Sequence, residues 1–291
     1  YAAARRQCLV HPGVGSTHAF RVGSSLVTTS PTIDRTPRYY LGALSIGLLA
    51  GLMSGMFGVG GGTVIVPLLL TLLVFDQRRA AGTSLAAIVP TAAVGVISYA
   101  AVGAVAWIPA LILAAAAVVG AQIGTWLLAR LPQNAIRWGF IAFLVVVIVM
   151  LFIVVPSREA EVPLTWGTGI GFAVLGVFTG IMAGLLGVGG GVIVVPALMF
   201  LFGTSDLVAK GTSLLMMIPT AISGTIGNLR RHNVDLVAAG VIGVSACTTT
   251  ALGAWIATLV DPFTANVLFA VYLTFIAVQL ALKAWRAHRA R

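Results

Sequence analysis

Charge is what this sequence has least of. Asp, Glu, Lys and Arg together make up 8% of its 291 residues, against roughly 25% in soluble domains, and that deficit excludes an ordinary water-solvated globule. Cysteine is equally scarce: Cys8 lies in the N-terminal stretch and Cys247 in an apolar run. With no CxxC pair, neither a disulfide framework nor a cysteine metal site follows. There is no HExxH and no membrane pair of aspartates, so metalloprotease and intramembrane aspartyl protease chemistry drop out. No catalytic residue, metal ligand set or cofactor is expected. Gly58, Gly60 and Thr63 followed by Asp76 imitate a dinucleotide fingerprint, but that site needs a strand, a helix and a soluble crevice, and this run lies in apolar sequence of lipid-spanning length.

What is abundant is apolar. Hydrophobic residues make up 59% of the chain and the mean hydropathy is +1.06, which also excludes disorder, while the 34 Gly follow no collagen triplet. Lipid is the expected solvent. The net charge of +10 would suit nucleic acid if the basic residues shared one polar face. They lie instead between apolar stretches and at the chain ends, as orientation charges do, and no nucleic-acid partner is expected.

Residues 1–38 form a basic zone rich in Arg, Ser, Thr and Pro, with Asp34 as its one acid and no apolar run of seven residues. They do not read as a secretory h-region, and their composition suits a disordered cytoplasmic tail or an organelle-targeting segment. From Tyr39 to Lys283 charges are few, and at about 20 residues per crossing this length accommodates about ten segments. Breaks at charges, Pro and Gly place them near 39–57, 60–75, 82–103, 107–129, 134–155, 166–186, 190–203, 210–229, 235–258 and 264–283. The second of each five is short for a crossing and is either a short span or a re-entrant hairpin. If the tail is cytoplasmic, 15 of the 17 Lys and Arg fall on that side and only Arg158 and Lys210 opposite. Both termini are therefore expected inside, in a cell membrane.

The chain is duplicated at a shift of 129 residues. GLMSGMFGVGGGTVIVP at 51–67 meets GIMAGLLGVGGGVIVVP at 180–196, with 10 of 17 positions identical. In the same ungapped register GTSLAAIVPT at 82–91 meets GTSLLMMIPT at 211–220, and Trp126 meets Trp255. Five segments per half turn the second half upside down. The expected fold is an all-α polytopic membrane protein of two inverted five-segment repeats, 39–160 and 161–291, behind the tail. Inverted repeats are a carrier architecture whose substrate site lies between the halves; a scaffold enlarged by duplication is the alternative.

The repeated elements are helix breakers. Gly58-Val59-Gly60-Gly61-Gly62 and Gly187-Val188-Gly189-Gly190-Gly191 interrupt apolar segments, and irregular backbone at membrane depth persists only where protein or a cavity covers it. Helices restarting near Thr63 and Val192 direct free N–H groups into that interior, unless the glycines serve only close helix packing. Gly82-Thr83-Ser84 and Gly211-Thr212-Ser213 are expected at two further helix starts, as N-caps or as donors to a substrate oxygen. Pro67, Pro90, Pro196 and Pro219 are expected to kink the helices that follow. Four such helix N-termini favour an oxyanion. The segments show no Asp or Glu at clear mid-membrane depth, so proton coupling is left to the substrate or to His232. Tyr99 and Asn228, which are repeat mates, are expected to hydrogen-bond between helices.

The duplicated GxxxGxxGVGGGxxxxP element followed by GTSL and a Pro resembles the TauE/SafE sulfite exporter family, also called the toluene sulfonate uptake permeases, over about 40–284. Residues 1–38 match nothing in the pattern. The resemblance implies a duplicated carrier of sulfite, sulfonates and related sulfur-containing anions, and export. Carried over by motif, its substrate residues are Gly60, Gly61, Gly62, Thr83, Ser84, Gly189, Gly190, Gly191, Thr212 and Ser213. The partners are then a small sulfur-containing anion and the lipid bilayer. A passive anion channel and a non-transporting scaffold remain as alternatives, and no oligomeric state is legible.

Overall fold

The computed structural model describes residues 36–132 and 165–289, with scattered positions between 138 and 149. The tail at 1–35 and most of the expected segment at 134–155 lie outside the described residues, as do Arg158, Glu159 and Glu161. Among the described residues there are nine helices and no strand. They are α1 (Pro37–Phe57), α2 (Gly62–Thr71), α3 (Gln77–Ala100), α4 (Trp107–Arg130), α5 (Trp166–Leu186), α6 (Gly191–Phe202), α7 (Asp206–Leu229), α8 (Leu236–Leu259) and α9 (Pro262–Arg289).

Seven are long and apolar enough to cross a membrane, and the chain is a multi-pass membrane protein. The other two, of 10 and 12 residues, rise only about 15–18 Å at 1.5 Å per residue, roughly half the hydrocarbon thickness. The short second segments are therefore not full crossings by length.

Local chemistry sets the ends. Pro37 opens α1 behind Thr36, Asp76 caps α3 by accepting from the Arg79 N–H at 2.9 Å, and Ser205 and Asp235 cap α7 and α8. Thr165 and Thr168 form a capping box on α5. Left-handed Gly58, Gly187 and Gly203 end α1, α5 and α6. The four prolines lie inside α2, α3, α6 and α7.

The bounds of α1, α3 and α4 recur 129 residues later in α5, α7 and α8, and α2 and α6 start at the same shift. Packing exchanges under it too. α1 lies along α8 and α5 along α4, while α3 packs against α7. The mates α3 and α7 run antiparallel, since Gly82 near the start of α3 faces Asn228 near the end of α7, and Gly211 faces Tyr99. Each half thus finds its principal neighbours in the other.

Close approach makes this interlock. A Cβ at Gly47, Gly51 or Gly55 would run into the carbonyl oxygens of Ile242, Ala246 and Thr250. Their mates Gly176, Gly180 and Gly184 stand the same way to Leu113, Ala117 and Ala121. Small residues every four positions bring helix backbones into contact, which in lipid replaces the missing hydrophobic drive. Outward faces carry Leu41, Ile97, Leu111, Val174, Val244 and Phe275, all exposed, as a lipid-facing surface requires.

Gly51→Ala is expected to lower stability by about 1–3 kcal/mol, because rigid backbone must move aside. Gly240 is helical with open space around it, and Gly240→Ala is expected to leave stability level or raise it by up to ~1 kcal/mol. Thermal unfolding in detergent compares the two.

Candidate functional site

The two glycine runs meet. α1 ends where Gly58 donates its N–H to the Ser54 carbonyl at 2.8 Å, and Gly60 and Gly61 follow at φ +68° and +75°. Gly187, Gly189 and Gly190 repeat the pattern at +74°, +84° and +85°. This left-handed backbone costs other residues roughly 1–2 kcal/mol each and reverses the chain in four residues, so that α2 and α6 can start. A Cβ on Gly62 would lie 2.6 Å from the Val188 Cα, and one on Gly191 2.7 Å from the Gly58 oxygen. The halves therefore touch backbone to backbone where both half-length helices begin. All residues of 57–67 and 183–199 are buried. The restarts at Gly62 and Gly191 fall within one residue of the expected positions.

Gly60 and Gly189 share two neighbours, Ile88 and Met217, whose side chains press on both. Ile88 and Met217 are themselves repeat mates, so the pair sits where the symmetry places each half against its copy. They close the contact between the runs.

The GTS motifs are not helix starts. α3 and α7 begin five residues earlier, at Gln77 and Asp206, behind the caps Asp76 and Ser205. Two helix N-termini, those of α2 and α6, meet at the glycine runs, rather than four. The threonines cap other helices instead. Thr83 Oγ1 accepts from the Asp235 N–H at 3.0 Å, and Thr212 Oγ1 accepts from the Ala106 N–H at 3.0 Å. Asp235 and Ala106 are the N-cap residues of α8 and α4, so each hydroxyl ties a helix start of the opposite half and keeps its own proton to donate. Gly82 and Gly211 admit the carbonyls of Asn233 and Ala104.

The serines divide. Ser213 Oγ donates to the Gly58 carbonyl at 3.0 Å, which brings it onto the first glycine run. Ser84 Oγ is fully buried with no hydrogen-bond partner. Tyr99 does bond between helices, donating to the Gly55 carbonyl at 2.7 Å. Asn228 does not: its Nδ2 donates to Gly224 within α7 at 3.0 Å. Gln122 on α4 donates to the Ser223 carbonyl and hydroxyl on α7 at 2.7 and 2.8 Å. His232 is exposed at φ +56° in the turn after α7, beside Arg230 and Arg231.

Sequence reasoning missed the buried acids. Asp206 pairs with Lys210 at 3.2 Å, one turn apart on α7 and both almost fully buried. Asp235 accepts from Arg79 at 3.0 Å and from the Tyr39 hydroxyl at 3.2 Å. The Ser205 cap and the i, i+4 spacing of Asp206 and Lys210 were the available signals. Breaking the segments at charges hid them. Arg78 donates to Ala129 at 3.3 Å, so the start of α3, the end of α4, the end of α7 and the start of α8 gather at one end with Arg78, Arg79, Arg130, Arg230 and Arg231.

The model of the family described as "Sulfite exporter TauE/SafE" matches residues 13–151 and 172–291. The chain belongs to the TauE/SafE family. The family match starts at residue 13, inside the basic zone, and not at 40 as the motifs suggested. Similar chains include the probable membrane transporter protein YunE of Bacillus subtilis (strain 168), 27% identical over 259 residues, covering 81% of this chain and 94% of that one. A probable membrane transporter protein of Haemophilus influenzae is 29% identical over 264 residues, covering 84% and 99%. YdhB of Bacillus subtilis, similarly named, is 28% identical over 192 residues, covering 65% and 78%. No solved structure matches this chain.

Ser213→Ala is expected to cost about 1 kcal/mol, one net hydrogen bond, whereas Ser84→Ala removes a buried hydroxyl without a partner and leaves stability level or higher. Unfolding temperatures of the two variants check this.

Proposed function

We propose that this TauE/SafE protein is a secondary carrier of sulfite, a small organosulfonate or another small sulfur-containing anion, working as an exporter by alternating access between two inverted halves. One observation carries the reading: two half-length helices begin back to back at glycine runs in the interior, one from each half. Such N-termini present N–H groups and about half a positive charge each. Gly60, Gly61, Gly62, Gly189, Gly190 and Gly191 supply the backbone donors. Ser213, bonded to the Gly58 carbonyl, and its buried repeat mate Ser84 supply hydroxyls, and Thr83 and Thr212 have protons to donate from the rims. The sulfur in the substrate comes from the family's description; the helix ends ask only for an oxyanion.

Ile88 and Met217, wedged between Gly60 and Gly189, close the site, and access on either side requires the runs to part from them. The antiparallel mates α3 and α7 and the exchange of packing partners support inversion. The basic end with Arg78, Arg79, Arg130, Arg230 and Arg231 is then cytoplasmic in the plasma membrane, with both termini on that side.

Labelled sulfite loaded into proteoliposomes is expected to leave saturably and faster with sulfite outside, and Gly61→Leu and Gly190→Leu are expected to abolish that exchange. Absence of flux, single-channel currents, or variants that match the wild type would overturn the carrier. Topology is tested separately: in a Cys-free background, cysteines at Gly203 and Arg230 are expected to label from opposite sides. Labelling from one side refutes the crossing of α7, and labelling of the cysteine at 203 from the cytoplasmic side refutes the orientation.

A further inference from the structure

Lys210 is the one buried basic residue among the described residues, and it lies against the first glycine run. Its Cα and Cβ would stand 2.6 and 2.7 Å from a Cβ on Gly58. Three residues on, Ser213 donates to the Gly58 carbonyl at 3.0 Å, so the stem of Lys210 and the hydroxyl of Ser213, from one face of α7, lie on the same glycine. The Lys210 ammonium meets the Asp206 carboxylate at 3.2 Å. Tyr99 packs one residue away, its Cβ 2.9 Å from a Cβ built on Gly211.

The second half alone carries this pair. At the shift of 129, Asp206 meets Gln77 and Lys210 meets Ala81, and the fold is otherwise the same there. An uncharged pair at this point of the architecture is thus tolerated, and a buried ion pair is often no more stabilising than apolar residues of similar size. Stability does not account for it. The placement of its charges also bears on use: Asp206 occupies the first turn of α7, where the helix N-terminus stabilises an anion, while Lys210 one turn on gains nothing from that dipole and needs an anion of its own.

We propose that Lys210 is the cation that recognises the substrate oxyanion, and that the Asp206 carboxylate is its resident counter-ion, replaced when the substrate binds. This rests on the carrier reading and deepens it. The incoming sulfur oxyanion takes the ammonium of Lys210 together with the N–H groups at the glycine runs, and the released carboxylate stays on the N-terminus of its own helix. No bond is made or broken. The pair thus holds the site neutral when empty.

The test uses the full chain in proteoliposomes and reads labelled sulfite exchange against concentration. Asp206→Asn removes the competitor and is expected to lower the KM for sulfite several-fold. Lys210→Met alone strands the carboxylate, so the neutral double variant Asp206→Asn, Lys210→Met replaces it, and its KM is expected to rise by about tenfold or more. Sulfite-dependent thermal stabilisation in detergent should follow the same order. A double variant with wild-type KM, or Asp206→Asn with an unchanged or higher KM, overturns the role of Lys210 while leaving the carrier intact. A wild-type protein that neither exchanges nor is stabilised by sulfite overturns the carrier and this inference together.

Discussion

Backbone that leaves a helix inside a membrane has no water to satisfy it, and it persists only where protein covers it closely. Here each half covers the break of the other. The approach is so tight that a methyl group on Gly62 or Gly191 would enter the opposite run. Neither run can be enclosed by its own half, because α1, α3 and α4 each pack mainly on helices from the second repeat. Duplication therefore completes the structure rather than enlarging it. The rows at Gly47, Gly51 and Gly55 and at Gly176, Gly180 and Gly184 follow from the same demand, since only backbone contact between α1 and α8, and between α5 and α4, leaves the crossing runs no gap.

The symmetry belongs to the backbone, and side chains break it at chosen places. Ser213 is bonded where Ser84 is not, Tyr99 fills the place of the much smaller Asn228, and an ion pair stands where the first half has Gln77 and Ala81. A chain with two identical inverted halves would hold its two open forms at equal energy. Each asymmetric residue would bias such an equilibrium by its own difference in interaction between the forms. In the carrier proposed above such differences set how its two open forms are populated, and these lie within a turn or two of the glycine runs or the GTS motifs.

Most of the architecture was legible in sequence because lipid imposes it. Length counted at about 20 residues per crossing, the shift of 129 and the two glycine breaks locate all nine described helices, while the stretches at 60–75 and 190–203, short for a crossing, leave a short span and a re-entrant hairpin both open. The errors share one cause. Reading charges as loop markers starts α7 at Lys210 instead of Asp206 and α3 at Gly82 instead of Gln77. That leaves Asp206 in a loop, apart from Lys210, and turns Thr83 and Thr212 into caps of their own helices. Their actual partners, the N–H groups of Asp235 and Ala106, are 152 and 106 residues away, and no local pattern encodes a contact at that distance. Ile88 and Met217 were invisible for another reason: an apolar residue in an apolar helix carries no mark of facing a glycine.

The two ends of the molecule are held unequally, and this follows from one residue. At the basic end Asp235 caps α8 with its side chain, gives its N–H to Thr83 and accepts from both Arg79 and Tyr39, so α1, α3 and α8 meet on a single carboxylate. Its mate Ala106 has no side chain for any of this and keeps only the bond to Thr212. Parting α3 from α8 at the basic end would leave a buried carboxylate without its cation, a loss of several kcal/mol unless water or a new partner enters. Parting α7 from α4 at the other end breaks one neutral hydrogen bond, worth about 1 kcal/mol net. The duplicated frame supplies two equivalent helix junctions, and Asp235 alone ties three helices together at one of them.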